Sequence, residues 1–327
     1  MFDRRSLLLS SLALSVTGPV LAQGRKPVPV IFHTDIGGDV DDTFALLYLL
    51  RRPELDLKLV ATDAGSAIYR ARLTAKLLTL AGRTDVPIAG GGDRGDGKGA
   101  QVDWLEGFNL ETYPRIPRWD AAQAMIDTVM ASPEPVTILS VGPATQLAEA
   151  LKREPRLAKK ARFIGMFGSV RIGYKGVAPA DAEYNVKIDP AALRTIFEAD
   201  WISCSITPLD TCGLVTLDGA DWRKLWGSRD PFAVACIENS KVWLPHAPWM
   251  AKGFDLKKQS SVQFDAVAVE MAFDESRLVM ETLPLSVTDE GMTLIDPVKG
   301  RSVRVATQWK DLPGFKRQLV EGLTRAG

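Results

Sequence analysis

Strand-length apolar runs alternate with stretches of helical periodicity along this chain, and this alternation restricts its fold more than any other feature. Residues 28–32 form a short apolar run, and apolar residues at helical spacing follow until Pro53 ends the helix. The predicted strands are 28–32, 57–61, 136–139, 163–166 and 202–206, and the predicted helices are 43–52, 70–80, 145–152 and 191–198. This order predicts an α/β fold in which one mostly parallel central sheet, Rossmann-like in topology, is flanked by helices on both faces.

The first 22 residues have the composition of an export signal. Arg4 and Arg5 stand directly before a moderately apolar run, and Val20-Leu21-Ala22 supplies small residues suited to signal-peptidase cleavage. The paired arginines favour the twin-arginine route and therefore a periplasmic or secreted protein. The alternative is a chance pair of arginines before a buried N-terminal helix. No linker or fixed-period repeat divides the remaining residues 23–327, which we expect to form a single catalytic domain.

Charge and cysteine content exclude some classes of function. Forty basic and forty acidic side chains cancel, so the chain lacks the net positive charge of a nucleic-acid binder. After the signal, no segment approaches the ~20 uninterrupted apolar residues of a membrane span. Cys204, Cys212 and Cys236 show no metal-binding spacing, and the two alternatives are buried thiols or one disulfide.

Four carboxylates fall within eight residues directly after the first predicted strand. Residues 33–42 read His-Thr-Asp-Ile-Gly-Gly-Asp-Val-Asp-Asp, which clusters Asp35, Asp39, Asp41 and Asp42. Such carboxylates repel one another unless a cation lies between them, and oxygen-only ligands favour Ca²⁺ or Mg²⁺ over zinc. The simpler alternative is that one aspartate caps the next helix while the others are solvated. Neither an EF-hand nor a P-loop fits the spacing.

The aspartate cluster resembles the N-terminal signature of the nucleoside hydrolases, in which Asp-Thr-Asp is followed by a glycine turn and an Asp pair. It is similar to the form of that signature with a longer loop. Further segments resemble family motifs in register, among them Ala-Glu-Tyr-Asn at 182–185. The others are 84–88, 141–148, 189–190, 208–211, 264–265 and 291–293, so the resemblance extends over nearly all of the chain after the signal.

This resemblance implies a metal site and a sugar site. Its metal ligands would be Asp35, Asp42, the main-chain carbonyl of Val141, and Asp265, with Ca²⁺ as the cofactor. Asp35 would also be the catalytic base that accepts a proton from the attacking water. The residues expected to contact the substrate are Asp41, Met166, Glu183, Asn185, Trp249 and Phe264.

The chain departs from the family where the leaving base is expected to receive a proton. Many members have His before the last Asp of the site, whereas this chain has Phe264 there. His246 lies between Trp243 and Trp249 in a segment with two prolines, and it is the candidate acid because it could protonate a base that stacks on tryptophan. Packing of this segment against the sheet is the alternative. His33, at the family's first Asp position, could support the cluster or fill a plain core or edge role.

The sequence therefore predicts calcium-dependent hydrolysis of the N-glycosidic bond of ribonucleosides. One alternative is hydrolysis of a related ribosyl compound whose leaving group needs no acid. Another is a metal-dependent ribosyl-binding protein without turnover. The expected partner is a small-molecule ribonucleoside, with no nucleic acid and no membrane after signal removal, and the resemblance implies a homodimer or homotetramer.

Overall fold

Strands and helices alternate in a computed structural model that describes residues 26–115, 117–174, 176–250 and 252–325. The strands are β1 (Val28–Thr34), β2 (Leu55–Thr62), β3 (Ile88–Gly90), β4 (Val136–Ser140), β5 (Ala161–Met166), β6 (Ser203–Thr207), β7 (Thr216–Asp218), β8 (Gln259–Val262), β9 (Leu278–Val287), β10 (Thr293–Ile295) and β11 (Arg301–Trp309). The helices are α1 (Asp41–Leu50), α2 (Ala67–Leu80), α3 (Ala121–Ala131), α4 (Thr145–Arg153), α5 (Arg156–Lys159), α6 (Tyr184–Ile188), α7 (Pro190–Glu198), α8 (Gly219–Trp226), α9 (Pro231–Trp243), α10 (Ala266–Met271) and α11 (Leu312–Thr324). The predicted signal peptide, residues 1–22, lies outside the described residues.

A nine-stranded sheet organises the described part of the chain, in the order β10-β9-β11-β6-β5-β4-β1-β2-β3. The strands from β6 to β3 in this order are parallel to their neighbours, β11 joins β6 in parallel, and β9 and β10 complete an antiparallel edge. β7 and β8 form a separate antiparallel pair. The predicted α/β architecture, one domain with a mostly parallel sheet flanked by helices, is confirmed.

The central strands are buried on both faces, which explains their continuous apolar character. Val30 and Phe32 of β1 join the core formed with α1, α2 and α9–α11, whereas Ile31 joins the core formed with α3, α4, α5 and α7. Successive strand side chains point to opposite faces, so one short apolar run serves both layers. All parallel strands consequently end at the same edge of the sheet, where α/β proteins bind their ligands.

The described residues also show the state of the cysteines and the character of the helices. Cys204, Cys212 and Cys236 are free thiols, and the last two are buried. No described helix combines the length and apolar character needed to cross a bilayer.

Candidate active site

A cavity of about 600 Å³ opens at the carboxyl ends of the parallel strands. Asp35 follows β1, Val141 follows β4, and Met166 ends β5. Asp41 and Asp42 begin α1, as expected from the helix's preference for negative charge in its first turn. The cavity lining includes ten of the eleven residues that the sequence predicts for the site: Asp35, Asp41, Asp42, Val141, Met166, Glu183, Asn185, Trp249, Phe264 and Asp265.

Two glycines allow the turn after β1 and the turn after β4 to approach each other closely. Gly37 has φ +96°, a conformation that side chains disfavour, and a Cβ there would meet the ring of Tyr69 at 2.6 Å. Gly142 faces Asp35, and its Cβ would lie 2.5 Å from the backbone nitrogen of Asp35. The turn after β1 and the turn after β4 therefore require glycine so that Asp35 can lie beside Val141.

Asp41, Asp42 and Asp265 form a tight, buried acidic group. One carboxylate oxygen from each lies within 4.8 Å of the others. Thr34 Oγ1 donates a hydrogen bond to Asp42, and the backbone N–H of Asp265 donates to Asp41 Oδ2 at 3.4 Å. Burial raises the pKa of all three carboxyls well above the usual range, and the neighbouring carboxylates raise it further. A cation bound between these side chains would stabilise their ionised forms.

Asp35 lies on the same cavity but outside this tight group. Its Oδ2 is 4.0 Å from Arg70 Nη2, and burial raises the pKa of the Asp35 carboxyl while Arg70 opposes the shift. Arg70 also donates to the carbonyls of Ile36 (2.8 Å) and Ala64 (2.7 Å). This arginine therefore fixes the backbone that carries Asp35 as well as offsetting its charge.

Main-chain carbonyl oxygens add to the possible metal ligands. Asn185 Nδ2 donates to the carbonyls of Val141 (3.0 Å) and Met166 (3.1 Å). Each carbonyl has a second lone pair, so the Val141 oxygen retains the capacity to bind a cation. Carboxylate and carbonyl oxygens on one cavity fit a hard divalent cation.

Glu183 immediately precedes α6 and lines the same cavity. Its carboxylate accepts hydrogen bonds from the backbone N–H groups of Gly168 (3.0 Å), Asn185 (2.8 Å) and Val186 (3.3 Å). Burial nevertheless raises the pKa of the Glu183 carboxyl to about 7, because desolvation outweighs these donors. Glu183 is thus held rigidly and titrates near neutral pH.

The remaining wall is aromatic. Phe264 is half-buried, and Tyr174 meets it edge-on with ring centroids 6.2 Å apart. Trp249 is 62 % exposed and packs against Trp243. These rings form an apolar surface suited to the flat face of a base.

His246, the predicted acid, is not among the residues that line this cavity. It ends a short 3₁₀ helix, Leu244–His246, and its side chain is exposed. Trp249, three residues later, does reach the cavity. In this conformation the segment therefore contributes an aromatic ring and no imidazole.

Tyr69 and Gln101 support the aspartate loop and were not predicted from the sequence. Tyr69 Oη donates to the carbonyl of Gly37 at 3.1 Å, and Gln101 Nε2 donates to that of Asp39 at 2.9 Å. His33 is buried, with Nδ1 2.9 Å from Ser140 Oγ and Nε2 3.2 Å from Asp63 Oδ2, so it links the ends of β1, β4 and β2. Its position beside the cluster agrees with a supporting role.

The chain matches one protein family over most of its length. The model for the inosine-uridine preferring nucleoside hydrolases matches residues 30–317. The pyrimidine-specific ribonucleoside hydrolase RihA of Salmonella arizonae is 30 % identical over 82 % of this chain and 88 % of its own length. RihA of Citrobacter koseri is 31 % identical over 64 % of this chain and 69 % of its own length.

Solved structures share the fold. A plant nucleoside hydrolase, the PpNRh1 enzyme, superposes with a TM-score of 0.76 at 24 % identity, covering 92 % of this chain and all of that one. A purine-preferring ribonucleoside hydrolase from Gardnerella vaginalis gives a TM-score of 0.71 at 21 % identity, covering 90 % and 98 %. The family match, the shared fold and the cavity agree, and the chain belongs to the inosine-uridine preferring nucleoside hydrolase family, whose members hydrolyse the N-glycosidic bonds of nucleosides.

Proposed function

We propose that this protein hydrolyses ribonucleosides to free base and ribose, and that the reaction depends on a divalent cation, preferably Ca²⁺. One observation carries the proposal. Acidic side chains from separate parts of the chain converge on a cavity that has an aromatic wall. We call these residues, Asp41, Asp42 and Asp265, the acidic floor. An acidic floor suits a sugar that develops positive charge, and an aromatic wall suits a base.

The proposed oxygen ligands fit calcium better than magnesium. The ligands we propose are Asp35, Asp42, Asp265 and the carbonyl of Val141, all of them oxygens on one cavity. Calcium accepts flexible sets of six to eight oxygens, whereas magnesium demands a near-ideal octahedron and retains its waters. A cation held here would act as a Lewis acid that promotes deprotonation of the attacking water.

The protein's own groups then divide the remaining tasks. Asp35 accepts the water's proton, since burial raises the pKa of its carboxyl and makes it a stronger base. Asp41 and Asn185 hydrogen-bond the sugar hydroxyls, and Glu183 orders the backbone around them. Because these side chains are fixed, they hold the anomeric carbon next to the attacking water. The reaction then needs no chance encounter between water and substrate in the right orientation.

Similarity to relatives named as pyrimidine-specific supports uridine and cytidine as the first substrates to test. The experiment is release of free base from a panel of purine and pyrimidine ribonucleosides, with calcium and with chelator. We expect turnover with calcium and its loss with chelator. Calcium-dependent nucleoside binding without any product would instead identify a binding protein. Turnover in chelator would contradict the metal requirement.

We further propose that the protein acts outside the cytoplasm. The paired residues Arg4 and Arg5 and the Val20-Leu21-Ala22 site support twin-arginine export and cleavage after Ala22. Substrates of that route fold before they cross the membrane, which suits a domain whose binding site is built from distant segments.

A further inference from the structure

The leaving base needs a partner that the sequence pattern does not supply. When the C1′–N bond breaks, its electron pair moves onto the base, and a hydrogen-bond donor at the base lowers the energy of that charge. Phe264 offers no donor, and His246 lies off the cavity. The hydroxyl and indole groups on the aromatic wall are the candidates for this donor.

Tyr174 is held in place on that wall by two contacts. The backbone N–H of Tyr184 donates to Tyr174 Oη at 2.8 Å. The Tyr174 ring stands nearly perpendicular to Phe264, at an interplanar angle of 85°. Through these contacts Tyr174 packs against two segments that line the cavity, because Tyr184 lies between Glu183 and Asn185, and Phe264 directly precedes Asp265.

The hydroxyl proton of Tyr174 has no acceptor among the described residues, although its oxygen accepts the Tyr184 N–H. A phenol whose oxygen is fixed by one hydrogen bond can aim its own proton at a ligand with little reorganisation. Tyr184 and Trp249 are the other aromatic donors on this wall. They are 55 % and 62 % exposed, against 42 % for Tyr174, and the decisive difference is that neither has a side-chain hydrogen bond within the described ranges that would hold it.

We propose that Tyr174 donates a hydrogen bond to the leaving base, to O2 of a pyrimidine or to a ring nitrogen of a purine. The inference rests on the proposed function. It assigns to the loop between β5 and α6 the task that the sequence suggests for His246.

The reaction balances without proton transfer from tyrosine. The water oxygen bonds to C1′, one water proton passes to Asp35 and on to solvent, and the departing base takes a proton from solvent. Burial and the nearby Glu183 carboxylate raise the pKa of Tyr174 above its ordinary value, so the phenol stays protonated as a donor throughout. Tyr174 is thus a polarising group rather than a full general acid.

The test compares Tyr174→Phe with the parent protein on uridine, inosine and a p-nitrophenyl riboside. Phenylalanine keeps the ring packed on Phe264 and removes only the hydroxyl. The loss of one preorganised donor should lower kcat on the nucleosides on the order of 10²-fold. On the p-nitrophenyl riboside, whose leaving group needs no stabilising donor, we expect little change, whereas a merely structural role would lower both rates alike.

His246→Ala and Tyr184→Phe are assayed in the same way, because His246 and Tyr184 are the alternative donors. A loss confined to nucleosides in either of these variants, with Tyr174→Phe unaffected, would overturn the inference. Equal losses of Tyr174→Phe on all substrates would overturn it too. If the parent cleaves no nucleoside, the proposed function fails and this role fails with it; if the parent is active and Tyr174→Phe is indistinguishable, only the role of Tyr174 fails.

Discussion

Asp42 combines a position in the tight acidic group with a hydrogen bond from Thr34, so its removal should disable cation binding. We expect Asp42→Ala to lose bound calcium and to lower kcat by at least about 10²-fold, because loss of a residue that merely hydrogen-bonds a metal ligand already costs about 10–100-fold and Asp42 is a proposed ligand. Metal analysis of purified protein measures the loss. Asp103→Ala, at an exposed aspartate, is the matched control. Full calcium occupancy in Asp42→Ala would show that the ligand assignment is wrong.

Glu183 should make stability depend on pH near neutrality. The folded-state pKa of about 7 lies above the ordinary value of 4.5, so the folded protein binds a proton that the unfolded chain has released. The contribution of Glu183 is therefore fully present below pH ~4.5 and is lost as pH rises to about 7, at about 1.4 kcal/mol per pKa unit.

The measurement is urea unfolding between pH 5 and 8 in chelator, for the parent and for Glu183→Gln. Comparing the two slopes isolates Glu183 from the acidic group, whose raised pKa values act in the same direction. We expect a flatter profile for the variant over this range. Parallel profiles would contradict the raised pKa.

The sequence predicts the acidic floor better than the aromatic wall. Asp35, Asp41 and Asp42 are close in sequence, and their mutual repulsion marks them as a group without knowledge of the fold. Tyr174 and Arg70 reach the site only through contacts between distant loops and strands, and an isolated tyrosine or arginine carries no sequence signal for such a role. The exposure of His246 likewise depends on how the end of α9 packs, which local spacing does not determine.

Helix caps are the elements whose energetics can be tested most simply, and α11 offers an isolated case. Asp311 accepts from Gly314 N at 2.8 Å and, among the described residues, takes part in no ion pair. Asp311→Ala should lower the free energy of unfolding by about 0.5–2 kcal/mol, because one N–H at the helix start loses its partner. Chemical denaturation measures the change. Asp311→Asn should retain most of the stability, and an equal loss in both variants would assign the effect to charge instead.

Element prediction succeeded where both faces of a strand are buried. The five predicted strands correspond to β1, β2, β4, β5 and β6, and the four predicted helices to α1, α2, α4 and α7, with bounds shifted by one to three residues. The antiparallel edge was not predicted. β9 contains Pro284, and most of its residues are partly exposed, so its sequence lacks the continuous apolar run that marks the buried strands.

For the whole molecule, the important fact is that the proposed cation site joins segments far apart in sequence. Asp41 and Asp265, separated by 224 positions, are in hydrogen-bond contact. A cation that binds only the folded form should stabilise the entire domain, by about 2.7 kcal/mol when its concentration is 100 times its Kd. Thermal unfolding with calcium and with chelator measures this. Asp42→Ala should lack the calcium-dependent shift, whereas an unchanged shift would place the cation elsewhere.

The proposed export is a second property that belongs to the whole chain. We expect the mature protein to begin at Gln23 and to be found in the periplasm, because the twin arginines and the Val20-Leu21-Ala22 site act together. Intact-mass measurement of the periplasmic fraction tests this, with Arg4→Lys combined with Arg5→Lys as the control that should block export. An unprocessed protein confined to the cytoplasm would contradict the assignment.

The long-range pairing of β1 bears on when the acidic floor can form during folding. β1 pairs with β4, more than a hundred residues later, and Asp265 follows later still, so the acidic floor is complete only when most long-range pairings have formed. Such topologies fold slowly. The cation can bind only after Asp41, Asp42 and Asp265 have come together. Calcium should therefore leave the folding rate almost unchanged and slow unfolding instead. If calcium binds as proposed, its effect is best described as an extension of the lifetime of the folded state, because the bound ion would delay the first opening of the sheet.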